Sequence, residues 1–504
     1  MDLRARTRRD LGQFGRAVPH PRCLPHAVLM SGSASSKRPV ASPSQSIHVP
    51  LRQRSLRQAC VHAAARSLRT VVRLVGAGGG TSLPGLFLER FDPSFLRRAA
   101  ADIRAKVVLV TGTNGKTTSA SMIRHILRSQ GATVTGNEGG SNMTRGIWTA
   151  FLDVSPETDY LILEVDEGVV PHLTETLRPD LLVLTNVFRD QLDRFGEAES
   201  VAALLGRSAA LLPKTSGVVV NVDDPLLLYA VTGCSCAEIG FGVEPQPEQT
   251  SDPFSSEPQI CPRCGEDFHY SQQTIGHLGT GRCPACGWSC GTGGTRAKII
   301  ESRGLAGVDI EIEGSRASLA VGGIHAAYNA AAAVTTVAQL GIPAPEACGA
   351  LASFVPRFGR DEVLEVAGRP VHILLMKNPA GANVLVNEAC SDPRTASAVL
   401  AVNDQAADGR DISWIWDADF ESLVAAGIPL FPSGRRAEDV AVRIKYAGGQ
   451  PEMAEPDIAR AMRLAAARCE PGQAAVVFAT YTAMLQLRRG LTRAWRHRRA
   501  DSLR

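Results

Sequence analysis

From about residue 105 the chain alternates short apolar runs with amphipathic stretches. Residues 107–110 (VVLV) are continuously apolar and end at a glycine-bearing turn, which predicts a buried strand. Residues 117–129 follow with Met122, Ile123, Ile126 and Leu127 on one helical face. Residues 160–165 (YLILEV), 181–185 (LLVLT) and 218–222 (VVVNV) predict further strands. Strands apolar on both faces and separated by helices predict a parallel sheet covered on both sides. Residues 243–258, rich in Pro, Ser and acid, predict a loop or linker. Strand-like alternation resumes over 298–320, and residues 329–340 predict an Ala-rich helix. A second βα series at 371–376, 398–402 and 475–480 predicts a separate, smaller α/β domain.

Length and composition agree with this picture. A chain of 504 residues suits about three domains. It is 44% hydrophobic and 21% charged, as globular proteins are. No run reaches the ~18 consecutive apolar residues of a membrane-spanning helix. Charge is uneven. Residues 1–80 carry 13 Arg and one Lys against Asp2 and Asp10, although the whole chain is only +4. The remainder is therefore mildly acidic, which removes the electrostatic footprint a nucleic-acid module needs. The basic arm lacks the apolar segment of a secretory signal. Three readings of it stay open: a disordered segment, a patch for anionic membrane, or sequence upstream of the start codon in use.

Candidate chemistry begins at Thr111-Gly112-Thr113-Asn114-Gly115-Lys116-Thr117-Thr118, between a predicted strand and helix. Glycines let backbone N–H groups approach phosphate, and a helix N-terminus favours negative charge. Lys116 would reach the β/γ-phosphates, and the Thr117 hydroxyl would face Mg²⁺. The GxxGKT spacing is two residues shorter than the common phosphate loop.

TGTNGKTT resembles the ATP loop of the Mur ligase and folylpolyglutamate synthase family. That resemblance implies an enzyme that activates a carboxylate as an acyl phosphate and lets an amine attack it. Other stretches resemble the family in the same order. Glu164 in LILEVDEG matches its Mg²⁺-binding Glu. Residues 184–196 (LTNVFRDQLDRFG) match TN…DHLD…G, with Gln191 in place of the usual His, and residues 221–225 (NVDDP) match NADDP. Asn329 sits where the family has an Asn near the adenine, Ala326 replaces a second Asn, and Arg360 matches a nucleotide-facing Arg. Residues 197–210 contain no Lys for the carbamylated lysine of many Mur ligases. The nucleotide-binding set implied is Gly112, Thr113, Asn114, Gly115, Lys116, Thr117, Thr118, Glu164, Asn329 and Arg360, with ATP and Mg²⁺.

Twelve cysteines include two CxxC pairs, Cys261/Cys264 and Cys283/Cys286, separated by 18 residues. Without a signal peptide, this pattern predicts a metal site in a reducing cytosol. Two knuckles supply four soft ligands for tetrahedral Zn²⁺ in a closed structural site, a zinc ribbon at about 259–290. Cys290, His269 and His277 lie nearby but outside that set.

A ribbon inserted in a Mur-type ligase resembles the MurT family, the ligase subunits of lipid II isoglutaminyl synthases, over roughly residues 65–490. KNPAG (377–381) and NDQAADGRDISWIWD (403–417) are the most family-specific stretches. The resemblance implies a central ATP-binding domain over 65–356 and a C-terminal Rossmann-like α/β domain over 357–504, and the basic arm, 1–64, lies outside it. It implies amidation of the α-carboxyl of D-Glu in the lipid II stem peptide to D-isoglutamine. Ammonia would come from a separate GatD-type glutaminase, and the work would be done in the cytoplasm at the inner membrane face. No Cys here sits in a GxCxG elbow, so the glutaminase nucleophile must lie elsewhere. The essential Asp is expected at Asp411, with Asp408 and Asp417 as alternatives. An amino-acid-adding Mur or folylpolyglutamate ligase is the competing reading.

Overall fold

A computed structural model describes residues 56–75, 82–138, 141–190, 197–245, 260–356 and 360–488. Gln191 and residues 357–359 lie outside them, as does the side chain of Arg360. The first described element is a helix, Leu56–Val75, so the boundary expected near residue 64 falls inside it. This helix is tied to the body where the Arg66 guanidinium donates to the Leu152 carbonyl at 2.9 Å.

The strands, in chain order, are β1 (Lys106–Thr111), β2 (Val134–Gly136), β3 (Tyr160–Glu164), β4 (Leu181–Leu184), β5 (Gly217–Asn221) and β6 (Ala237–Val243). There follow β7 (His269–Ile275), β8 (Leu278–Arg282), β9 (Ser289–Cys290), β10 (Thr295–Ser302), β11 (Val308–Ile312) and β12 (Ser315–Leu319). Among the described residues these form a large sheet in the order β12-β11-β10-β6-β5-β4-β1-β3-β2 and a small one of β7-β8-β9. From β2 to β10 the large sheet is parallel, and β11 and β12 extend it antiparallel.

Helices cover both faces of the large sheet. Met122, Ile123, Ile126 and Leu127 of the helix Lys116–Ser129 are fully buried, packed with the helix Ile324–Gln339 on one face. Each such side chain contributes about 1.5–3 kcal/mol of burial. On the other face, Leu173, Leu205 and Leu227 come from three different helices. The expected Ala-rich helix begins earlier than residue 329, at Ile324.

The second series gives β13 (Arg360–Val366), β14 (Arg369–Leu375), β15 (Thr395–Ala401), β16 (Leu430–Ser433) and β17 (Ala474–Ala479). Their order is β13-β14-β17-β15-β16, parallel except for β13. The C-terminal ends of β14, β15, β16 and β17 therefore lie along one edge. After β14, β15 and β16 the chain enters helices packed on one face. After β17 it enters residues 481–488, packed on the other. Ligand crevices of open α/β sheets form where such connections diverge.

Asp224 shows how few groups fix the loops beside β4 and β5. It caps the helix Pro225–Val231, accepting from the Leu226 and Leu227 N–H groups at 3.0 and 3.1 Å. Its other oxygen accepts from the Val187 N–H at 2.8 Å, with no exposure to solvent. Asp224→Ala leaves buried donors unmet and should cost about 2–4 kcal/mol by combined loss of a cap and of buried hydrogen bonds. A urea midpoint unchanged from the native chain would contradict this placement.

Candidate nucleotide site and cysteine cluster

Residues 112–115 form the turn between β1 and the helix Lys116–Ser129, whose first turn carries no acidic residue. An unopposed helix N-terminus favours an anion. Gly115 has φ +83°, and a Cβ there would stand 2.2 Å from Asn329 Oδ1, so only glycine fits. Neighbours fix the turn. The Asn114 N–H donates to Asn186 Oδ1 at 2.8 Å, and the Thr185 hydroxyl donates to the Asn114 carbonyl at 2.7 Å. The Thr113 N–H donates to the Asn186 carbonyl at 2.8 Å.

Lys116 is buried, and its Nζ donates to the Gly112 carbonyl, to Thr113 O at 3.2 Å and to Glu167 Oε1 at 2.9 Å. Burial alone would lower its pKa, but the Glu167 carboxylate overrides burial and raises it. The Thr117 hydroxyl donates to Glu164 Oε1 at 2.8 Å. Asn137 holds the Glu164 backbone from both sides, donating to its carbonyl at 2.7 Å and accepting from its N–H at 2.9 Å. Thr118 is buried in the same turn, and Asn329 Oδ1 accepts from the Ser119 hydroxyl at 3.1 Å.

The loop opens into a cleft between the two sheets. Thr113, Asn114, Gly115, Lys116, Thr118 and Asn329 line it on one side, and Leu374, Lys377 and Gly381 of the C-terminal sheet line it on the other. Asn378 joins the two sides. It caps the helix Pro379–Ser391 by accepting from the Gly381 N–H at 2.8 Å, and its amide donates to Asn114 Oδ1 at 3.2 Å. Asp190 also bonds Asn378. Desolvation raises the Asp190 carboxyl above its usual range, against the pull of Lys377 and Lys116. One anionic ligand could therefore meet a helix N-terminus and two lysines within a single cavity.

Motif reading missed Glu167, Asn186 and Asn378 as members of the site. Glu167 had a signal, lying three residues after Glu164 in one acidic turn. Asn186 and Asn378 stood inside quoted stretches without a role. Arg360 begins β13.

The loop 403–417 follows β15, outside the cavity lining. Asp408 is occupied internally. Its Oδ1 accepts from the Thr482 N–H at 2.7 Å, and its Oδ2 accepts from the Thr482 hydroxyl and from the Gln405 N–H at 3.1 Å. Asp411 is exposed and accepts from the Ser413 N–H at 2.8 Å, which holds its carboxyl below the usual range. Asp417 is exposed on the far side of the turn Ser413–Trp416.

The cysteines converge. The Sγ atoms of Cys261, Cys264, Cys283 and Cys286 all lie within 4.8 Å of one another. Cys261 and Cys286 are 3.7 Å apart, Cys264 and Cys283 3.5 Å. Four sulfurs about 2.3 Å from a central ion stand about 3.8 Å apart, so the donor set fits a tetrahedral thiophilic metal. The knuckles repeat one geometry: Gly265 N–H donates to Cys261 O at 2.9 Å and Gly287 N–H to Cys283 O at 3.0 Å. Cys290 is buried, with its thiol on the Gly279 carbonyl at 3.5 Å, and His269 is exposed. Neither these two nor His277 belongs to the cluster.

Fold and site together define a Mur-type ATP-dependent ligase. Residues 110–259 match the Mur ligase middle domain family model, and residues 375–484 match MurT ligase C-terminal. A pseudomurein peptide ligase type C from Methanothermus fervidus shares the fold at a TM-score of 0.60 and 20% identity, covering 77% of this chain and 78% of its own. The chain is 32% identical over 402 residues to the lipid II isoglutaminyl synthase (glutamine-hydrolyzing) subunit MurT of Staphylococcus aureus strain COL, covering 79% of this chain and 90% of that protein. Against the subunit of the same name from Streptococcus pneumoniae it is 32% identical over 416 residues, 82% and 92% of the two chains. The chain belongs to the MurT family.

Removing the Lys116 ammonium should cost at least ~10²-fold in ATP-dependent turnover, as loss of one electrostatic donor does. Lys116→Ala also strands Glu167 in a buried place, so stability should fall as well. Lys116→Ala/Glu167→Gln should recover the unfolding midpoint and leave turnover low. Turnover near normal in either variant would remove Lys116 from the chemistry.

Proposed function

We propose that this chain is the ligase subunit of a lipid II isoglutaminyl synthase. ATP phosphorylates the α-carboxyl of D-Glu in the lipid II stem peptide. Ammonia then attacks the acyl phosphate and gives D-isoglutamine, phosphate and ADP. The observation that carries this reading is the buried Lys116 at the mouth of a helix, facing Lys377 across one cavity, in a chain that aligns with MurT subunits over most of its length. Lys116 and the loop N–H groups would hold the phosphates, with Asn329 and Arg360 on the nucleoside side. Thr117 and Glu164 would hold Mg²⁺, which supplies charge neutralisation at the transferring phosphoryl group.

A GatD-type glutaminase is the proposed source of ammonia, since the chain lacks a nucleophile elbow of its own. No helix among the described residues is long and apolar enough to cross a membrane. The proposed place of work is the cytoplasm, where lipid II would be met at the inner membrane face. The sheet of β14 to β17 reads as a Rossmann-like domain, with the arm ending before the central domain and the second domain starting near residue 357.

The four-cysteine cluster is proposed as a structural zinc site. The purified chain should carry one zinc. Cys261→Ser or Cys286→Ser should lower stability and yield more than the chemical step, because a closed site offers no open position. Metal-free protein with undiminished stability would refute the structural role.

Asp411 is the proposed essential carboxylate, since Asp408 is committed to Thr482 and Gln405. Asp411→Asn should abolish glutamine-dependent amidation by the two-subunit complex and leave ADP binding intact. Recovery in high ammonia would place Asp411 on the glutaminase side, orienting a partner's base. Failure to recover would place it at the acyl phosphate. Undiminished glutamine-dependent activity would transfer the role to Asp417.

A further inference from the structure

The small sheet does more than carry cysteines. Its hairpin β7–β8 has the cysteine knuckles at its base, and its turn reaches the nucleotide cavity, where Ile275 and Leu278 form part of the wall. At the tip, Gly276 has φ +54°, and a Cβ there would stand 3.0 Å from the Phe188 ring. Phe188 in turn grips the phosphate loop: its N–H donates to the Thr113 hydroxyl at 3.0 Å, and that hydroxyl lies 3.4 Å from its carbonyl. Beside it, the Thr274 and Tyr328 hydroxyls are 2.6 Å apart, and Tyr328 donates to Asp223 Oδ2 at 2.8 Å. Tyr328 directly precedes Asn329. The Gly279 N–H donates to the Asp223 carbonyl at 2.8 Å and the Gly291 N–H to the Val222 carbonyl at 2.7 Å, so the hairpin is laid along the end of β5.

The other end of this hairpin rests on a small core, tied to the body by Leu228 and by the Tyr229 ring against Trp288. Its buried apolar cluster is Cys261, Phe268, Cys283 and Cys290, with Leu228, Tyr270, Cys286 and Trp288 packed around it. Three of these eight side chains belong to the thiol cluster. A core so small does not order a segment without a staple, and binding free energy of a metal then becomes ordering free energy.

We infer that the ribbon hairpin is a positioning element of the nucleotide site, acting through Phe188 on Thr113 and through Thr274 on Tyr328, so that metal occupancy of the four cysteines sets nucleotide affinity. This rests on the reading of the cavity as the ATP site. The coupling is reciprocal: a metal that tightens the nucleotide is itself tightened by the nucleotide to the same factor.

Two measurements on the full chain test it. In the first, zinc is titrated out of the unaltered chain with a chromogenic chelator, with and without saturating ADP and Mg²⁺. ADP should raise the apparent zinc affinity at least about fivefold. In the second, ADP binding is measured by calorimetry for Gly276→Ala, Phe188→Leu and Thr274→Val, each checked for one zinc per chain. The ADP Kd should rise at least about fivefold in each with zinc content intact, and Thr274→Ser should recover what Thr274→Val loses. A purely structural ribbon would change yield and unfolding midpoint without moving Kd in zinc-replete protein. Zinc affinity indifferent to ADP, or unchanged Kd values in zinc-replete variants, would overturn the inference and leave the ATP site standing. If the variants do not fold, the zinc titration decides alone. If the unaltered chain binds no ADP, the reading of the cavity fails first.

Discussion

Lys116 keeps its charge in a place almost closed to water because Glu167 and two loop carbonyls surround the ammonium. An ammonium so placed would be expelled or neutralised without such partners. Much of the surrounding structure serves that arrangement. β3 ends at Glu164, so the following turn carries Glu167 beneath the helix that starts at Lys116. β4 ends at Leu184, so Thr185 and Asn186 fall level with Asn114 and hold the loop open. Parallel register between β1 and both neighbours, Val110 opposite Glu164 and Thr111 opposite Leu184, brings these turns to one edge.

The C-terminal sheet completes the cavity by a small number of polar contacts. The Asn114–Asn378 amide pair is the direct bond between the phosphate loop and the helix after β14. A second tie is the Leu305 N–H, which donates to Asp392 Oδ2 at 3.1 Å at the other end of that helix. Contacts of this kind are net worth only about 0.5–1.5 kcal/mol each. Leu305 buried in the C-terminal core, and Ala380 and Val384 packed on the central one, add an apolar part to the same seam.

The phosphate loop and the cysteine cluster were legible in the sequence because each is local. A strand, two glycines, a lysine and a helix occupy adjacent positions, and two CxxC knuckles need no neighbour to be recognised. The alternation over 298–320 announced strands, but nothing local said that β10 would pair with β6 and carry β11 and β12 onto the same sheet. Pairing partners distant in sequence leave no periodic trace. The helix Ile324–Gln339 started before its expected position because Ala326, Ala327, Ala330 and Ala331 are buried on all sides, so no amphipathic edge marks its beginning. Among the acids of residues 403–417, only the fold separates Asp408, spent on Thr482 from a segment 74 positions away, from Asp411, which stays exposed.

Exposure of Asp411 also bears on how labour is divided. A carboxylate that serves chemistry inside its own subunit is normally buried and oriented by several donors. Asp411 is held by Ser413, through its N–H and its side chain, and is otherwise exposed, on a loop anchored next door by Asp408. That combination, a rigid base and an outward carboxylate, presents a group to something beyond the chain. The proposed ATP cavity, by contrast, is lined from within this chain, by the turns after β1, β4 and β14, the helix carrying Asn329 and the hairpin tip at Ile275 and Leu278. Under the proposed roles, activation of the carboxyl and supply of the nitrogen would fall on different loops, as a two-subunit amidotransferase requires.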